Sequence, residues 1–226
     1  PAAQMEVSTQ ITALMMTRVC DAAALDAVFR DARISVLCLG PGMGVDRAIK
    51  LLKPALCEDA PVRRPALLDA DALTALASDA ALFDMLHVNC VLTPHAGEFA
   101  RLFPDLSAGA ESGEANARVE SVCHAARRAG CTVLLKGADT IIAASDGSCA
   151  RHAARGDHAA PWLATAGAGD VLAGFIAGLM ARGFAPMEAA QTGVWLHAAC
   201  GRHIGPGLIA EDLPEALPSV LTALGL

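Results

Sequence analysis

The chain has 226 residues, 54% of them hydrophobic and 4% aromatic, and a net charge of −7. That length and composition suit one Ala-rich globular domain with a sizeable core and exclude a disordered chain. The acidic balance, without any block of Lys or Arg, argues against nucleic-acid and anionic-membrane partners. The longest apolar run, Val171 to Ala181, is too short and too rich in glycine to cross a bilayer. No basic start followed by an apolar stretch marks a signal peptide. The eight cysteines form no CxxC pair, and Cys38, Cys90 and Cys131 lie inside apolar runs. They read as reduced, buried small hydrophobes, which fits a cytoplasmic location.

Pro1 to Thr17 carries no clear pattern. Asp21 to Arg33 has helical spacing, and residues 34–39 form a short apolar strand that runs directly into Gly40-Pro41-Gly42-Met43-Gly44. A helix is expected from Asp46 to about Cys57, then a strand over Pro65–Leu68 ending in Asp69-Ala70-Asp71, then a helix from Ala72. Val88 to Thr93 reads as a third strand, closed by Pro94-His95-Ala96-Gly97-Glu98. Glu114 to Ala129 is helical with Gly130 as its C-cap. Thr132 to Leu135 is the fourth strand, leading into Lys136-Gly137-Ala138-Asp139-Thr140. Residues 141–153 suit a hairpin, because Asp146-Gly147 favours a tight turn. Helices over Pro186–Ile204 and Glu211–Leu224 end the chain.

Strands that are apolar throughout, alternating with helices, indicate an α/β fold with a mainly parallel sheet covered on both faces. Ligands of such sheets bind beyond the carboxyl ends of the strands. Gly42, Gly44, Asp69, Asp71, His95 and Lys136 to Thr140 all fall there. The densest feature is Ala164-Thr165-Ala166-Gly167-Ala168-Gly169-Asp170. Gly167 and Gly169 let backbone approach a ligand closely, and the helix they open offers unpaired N–H groups and a partial positive charge to an anion, most simply a phosphate. Asp170 serves equally as a cap or as an ionised base beside that phosphate. Behind it, Val171, Leu172, Phe175, Ile176, Leu179 and Met180 make an apolar face. Ala173, Gly174, Ala177, Gly178 and Ala181 make a small-residue face, so the helix is expected to be buried nearly all round.

Taken singly the remaining motifs have two readings. His95 fits a substrate contact or a structural role, whereas His197, on an apolar helix face, reads as structural. Lys136 with Gly137, Ala138, Asp139 and Thr140 suits a phosphate site or a strand-ending turn. Asp71 reads as a helix cap, and Asp69 is open between capping and orienting a hydroxyl or Mg2+.

Taken together, Leu39 to Gly44, Leu68 to Asp71, Leu92 to Phe99, Leu135 to Thr140 and Gly167 to Gly174 occur in an order that resembles the ADP-dependent NAD(P)H-hydrate dehydratases. The resemblance covers residues 34–200, and the Thr-Pro-His-x-Gly-Glu-Phe element is its most specific part. It implies a ribokinase-like three-layer α/β/α fold. It implies dehydration of (6S)-NADHX or NADPHX to NADH or NADPH, with ADP split to AMP and phosphate. Asp170 then matches the catalytic acid that touches substrate. Gly42, Gly44 and His95 match the hydrated-nicotinamide side. Lys136, Gly137, Ala138, Asp139, Thr140, Ala164, Thr165, Gly167, Ala168 and Gly169 match the adenine-nucleotide side. Mg2+, a homo-oligomer (a tetramer) and an associated epimerase domain are also implied, with the metal ligands unknown.

The chain departs from the family at Ala96, where Pro is usual, and at Ala168, where Ser or Thr is usual. Ala159-Ala160-Pro161-Trp162 lacks the usual Asn and Gly. Residues 1–226 are expected to form one domain without the family's opening βα unit. A vitamin-precursor kinase of the same superfamily, using Asp170 to deprotonate an alcohol, is the alternative.

Overall fold

The computed structural model describes residues 4–11, 13–57 and 63–226. The chain opens with α1 (Gln4–Gln10), α2 (Ala22–Phe29), β1 (Leu37–Leu39), α3 (Val45–Leu56) and β2 (Ala66–Leu68). Next come α4 (Asp71–Ser78), α5 (Ala80–Phe83), β3 (Cys90–Leu92), α6 (Ala96–Leu102), α7 (Ser107–Ala110), α8 (Ala115–Ala129) and β4 (Thr132–Leu135). The last part holds β5 (Asp139–Ala143), β6 (Cys149–Ala153), α9 (Ala168–Ala181), α10 (Pro186–Ile204) and α11 (Asp212–Ala223).

Among the described residues the strands form one sheet in the order β1-β2-β3-β4-β5-β6. The first four are parallel, and β5 and β6 turn back as an antiparallel hairpin at Asp146-Gly147. Alternate strand residues point to opposite faces. Ala66, Leu68, Cys90, Leu92, Val133, Leu135 and Ile141 pack with Leu52, Leu73, Leu76, Phe99 and Val122 of α3, α4, α6 and α8. Leu67, Val91, Leu134 and Ile142 pack instead with Leu172, Ile176, Ala190 and Val194 of α9 and α10. Connections that advance in one direction keep their helices on one face, so α9 and α10 are left to cover the other. This three-layer α/β/α arrangement is the expected one. The C-cap Gly130 is left-handed at φ 63°, as its sequence position suggested.

Three local expectations fail, each for a packing reason. The first strand spans Leu37–Leu39 rather than 34–39. Upstream of it, Arg64 donates to the carbonyls of Ile34 and Phe29 at 2.6 Å each, so that backbone is satisfied by a side chain rather than by a ladder. Cys90 and Cys131 are buried, but Cys38 is exposed, because β1 pairs only with β2 among the described residues. Finally, α9 is not buried all round. Gly174, Gly178 and Ala181 are exposed, and a Cβ on Gly174 or Gly178 would meet nothing within 4 Å. The tight approach of α9 to α10 uses a glycine on the partner helix: a Cβ on Gly193 would lie 2.6 Å from Cγ1 of Ile176.

The sharpest backbone constraint sits where β1 and β2 end. Gly40 has φ +126°, and a Cβ there would stand 1.7 Å from the carbonyl oxygen of Asp69. No rotamer relieves a clash with backbone. Gly40→Ala is therefore expected to destabilise the fold by about 3 kcal/mol, combining overpacking with the cost of a positive φ; urea denaturation midpoints of the two proteins measure it.

Candidate active site

Polar residues gather at the carboxyl ends of the parallel strands. After β1 the loop from Gly40 to Gly44 turns on positive φ at Gly40, Gly42 and Gly44. Its last amide N–H, on Gly44, donates to Oδ2 of Asp71 at 2.7 Å. Asp71 thus holds a neighbouring loop instead of capping its own helix, whose N-cap position is taken by Ala70. Ala70 has φ 48° and ψ −116°, a conformation that L-residues rarely adopt. With Ala72 N–H donating to the carbonyl of Asp69 at 3.0 Å, residues 69–72 make a tight turn with the geometry that favours glycine at this position.

Asp69 lies inside that turn with its side chain 1% exposed, and its Oδ1 accepts from Lys136 Nζ at 2.8 Å. The buried carboxylate of Glu98 stands 3.9 Å from the same ammonium. Glu98 belongs to α6, whose N-cap is His95. Nδ1 of His95 accepts the N–H of Gly97 at 3.0 Å and that of Glu98 at 3.4 Å, while the N–H of His95 donates to Glu98 Oε2 at 2.8 Å. This reciprocal capping box fixes the ring. The His95 side chain is exposed, with Nε2 3.5 Å from Glu98 Oε1. It therefore presents one edge to solvent at the rim.

The start of α9 faces the same place. Gly167 is the N-cap at φ 83°, so Asp170 falls in the first helical turn rather than at the cap. Its carboxylate is exposed. Although Cys38 is exposed as a residue, its thiol is pushed up to about 11, first by the protein around the sulfur and then by the charges of Asp69 and Asp170. Buried His197 of α10 hydrogen-bonds through Nε2 to the carbonyl of Ala168 at 2.9 Å, which steadies the glycine loop from below and matches the structural reading.

Beside the loop lies a cavity of about 410 Å³. Lys136, Gly137, Ala138, Thr140, Ala164, Ala168 and Gly169 line it, together with His197, read from the sequence as structural, and with His152, Leu163 and Val194, which the motifs did not single out. Lys136 stands against the first turn of α9: its Nζ would be 3.4 Å from a Cβ on Gly169. Three residues grouped with this set in the sequence, Asp139, Thr165 and Gly167, are outside the lining. Asp139 is instead held by Arg151 at 2.7 Å and Arg155 at 2.5 Å. The hydroxyl of Thr140 donates to the carbonyl of Gly137 at 3.0 Å. Gly42, Gly44, His95 and Asp170 do not line the cavity: the two glycines follow β1, His95 follows β3, and Asp170 sits in the first turn of α9. The site thus has a mainly apolar cleft, with Lys136 and the start of α9 in its wall, and polar residues on the neighbouring strand ends.

Among the described residues no group of three His, Cys, Asp or Glu side chains could hold a metal ion, and no helix is long and apolar enough to cross a membrane.

A family profile described as NAD(P)H-hydrate dehydratase matches residues 2–220. The chain is 41% identical over 208 residues to the bifunctional NAD(P)H-hydrate repair enzyme Nnr of Moorella thermoacetica, covering 89% of this chain and 37% of that one. It is 35% identical over 206 residues to the ADP-dependent (S)-NAD(P)H-hydrate dehydratase of Xanthomonas campestris, covering 89% and 65%. It therefore spans little more than a third of the first relative and just under two thirds of the second. Among solved structures, the Bacillus subtilis ADP/ATP-dependent NAD(P)H-hydrate dehydratase, co-crystallised with ATP/Mg2+ and soaked with CoA, superposes with TM-score 0.65 at 26% identity, over 84% of this chain and 66% of that one. The shared architecture is ribokinase-like.

Two stability outcomes follow from this geometry. Lys136→Met strands a buried carboxylate, and a loss of about 2 kcal/mol is expected, below the 3–5 of fully buried pairs because Lys136 keeps some water contact. Asp69→Asn in the same chain should restore part of it, read by thermal unfolding of the single and double variants. The second outcome concerns acid. Burial holds His197 down to about 4 from 6.5, partly opposed by its bond to Ala168. The unfolded ring therefore takes a proton that the folded one refuses, so stability is complete above about pH 6.5 and falls as pH drops toward 4. At pH 4.5 the loss from His197 is expected to be about 2 kcal/mol, and urea midpoints for His197→Gln should fall less steeply with acid.

Proposed function

The chain belongs to the NAD(P)H-hydrate dehydratase family, and from that premise we propose that it carries the ADP-dependent dehydration of (6S)-NADHX or NADPHX to NADH or NADPH. The observation that carries the reading is the junction of two unlike halves at the start of α9. A mainly apolar cleft there has the ammonium of Lys136 in its wall, and the exposed carboxylate of Asp170 stands in the same first turn of α9.

In this reading the adenosine part of ADP fills the cavity. Its phosphates reach the amides of the Gly167–Gly169 loop and the ammonium of Lys136, where the helix dipole adds to the positive potential. Gly137, Ala138 and Thr140 shape the wall, and Ala168 contributes backbone in place of a hydroxyl. Asp139 and Thr165 act from behind it. The hydrated nicotinamide lies on the shelf formed by Gly42, Gly44 and His95, with its C6 hydroxyl toward Asp170. Asp170 takes the hydroxyl proton as the oxygen attacks the terminal phosphorus of ADP, and AMP leaves. Loss of phosphate from C6 with a proton from C5 then restores the ring double bond. Such charge development is stabilised by donors already in place.

Mg2+ is the expected metal. With no three-residue cluster among the described residues, its coordination would rest on the nucleotide phosphates, as is usual for this ion. Its chemistry would be neutralisation of phosphate charge.

The open edge of β1, exposed Cys38 and the uncovered glycines of α9 support one more assignment. A further βα unit adds there in the working enzyme and roofs the shelf. The working enzyme is a cytoplasmic homo-oligomer, a tetramer by family resemblance, that acts with an NAD(P)HX epimerase.

The test supplies S-NADHX and ADP to the chain and follows NADH absorbance. NADH is expected, together with equimolar AMP and phosphate. Phosphate transfer to an alcohol without NADH would support the kinase alternative instead. Asp170→Asn should keep ADP affinity and lose about 10²–10⁴-fold in turnover, the usual worth of a positioned base. Turnover near that of the parent chain removes Asp170 from the mechanism.

A further inference from the structure

We infer that Asp69 is the positioning residue of this site: its carboxylate sets the ammonium of Lys136 where the terminal phosphate of a nucleoside diphosphate binds. The inference rests on the nucleotide assignment of the cavity proposed above, and assigns a role to a residue that the substrate and nucleotide contacts leave unused.

The geometry carries it in three steps. First, Lys136 is the cation of the cavity wall that stands against the α9 N-terminus, within 3.4 Å of where Gly169 would carry a Cβ. A lysine side chain has four rotatable bonds and acts as a point charge, so its position must come from a partner. Asp69 is that partner, at 2.8 Å with only 1% of its side chain exposed; Glu98, at 3.9 Å, is a distant second.

Second, Asp69 itself cannot drift. Its carbonyl seats against Gly40, whose Cβ position lies 1.7 Å away. Its chain neighbour Ala70 keeps φ 48°, a strained conformation that persists only where the surroundings over-determine it. Third, the cost of burying Asp69 is offset only while Lys136 remains its partner. A carboxylate so placed holds the ammonium by charge and shape without occupying the phosphate position itself. Lys136 retains some exposure on the cavity side, and its remaining N–H donors are available to an incoming oxygen.

The test is calorimetric binding of ADP and of adenosine to the chain and to Asp69→Asn. A freed Lys136 swings toward Glu98 and loses the phosphate. ADP affinity is therefore expected to fall about tenfold, the worth of one charge-assisted hydrogen bond, with adenosine affinity unchanged. A purely structural role would weaken both ligands alike, and that result, like unchanged or tighter ADP binding, overturns the inference. Should Asp69→Asn not fold, Asp69→Glu keeps the charge and the partner but displaces the carboxylate by one methylene; the same ADP-selective loss is expected in it, and parental ADP affinity in it refutes the role. If the parent chain binds no ADP at all, the nucleotide assignment of the cavity fails, an outcome distinct from the failure of Asp69.

Discussion

A 2.8 Å ion pair between Asp69 and Lys136 joins the ends of β2 and β4 across the strand that lies between them. Everything polar at the rim is arranged about this contact. The Asp69 carbonyl sets the space that only glycine at position 40 can leave free. One residue further, the strained Ala70 turns the chain so that Asp71 reaches the Gly44 amide. Across the pair, Lys136 stands against the first turn of α9. A buried carboxylate would be costly alone; paired with it, the flexible ammonium of Lys136 is held in one place while part of it stays exposed.

The two halves of the site differ in a way that suits two ligands. On the β4–β6 side the wall is largely apolar, with Lys136, Thr140, His152 and His197 as its polar side chains. A slot of this kind takes a planar, weakly polar group and orients it with few contacts. On the β1–β3 side the glycine loop, the rim-facing edge of His95 and the carboxylate of Asp170 form an open shelf. The strain at Ala70 lies at the seam, where strained backbone is expected if the geometry serves chemistry rather than stability.

The same arrangement accounts for what is left uncovered. Since the helices between β1 and β4 share one face, the other face near β1 is shielded, among the described residues, by α9. Its stripe of Gly174 and Gly178 packs on nothing. Close contact with α10 is made through Gly193 instead, so the small residues of α9 are not needed for the contact that exists.

Local signals carried far in this chain. Uniformly apolar strands announced a parallel sheet, Gly130 and Asp146-Gly147 announced a cap and a hairpin, and the glycine motifs announced which rim would hold the chemistry. These depend on residues a few positions apart, where propensity and turn geometry act directly. By itself the sequence therefore determined the layers, the rim and the residue types gathered there. Only the tertiary structure decided how those residues divide their work. Asp69 and Lys136 are 67 positions apart, and their pairing depends on strand order and register. That His95 caps a helix through Nδ1, that Asp71 serves a loop 27 positions away, and that a stripe of α9 at Gly174, Gly178 and Ala181 is exposed are likewise outcomes of packing. Hydrophobic period reports which face is apolar, but not what comes to cover it.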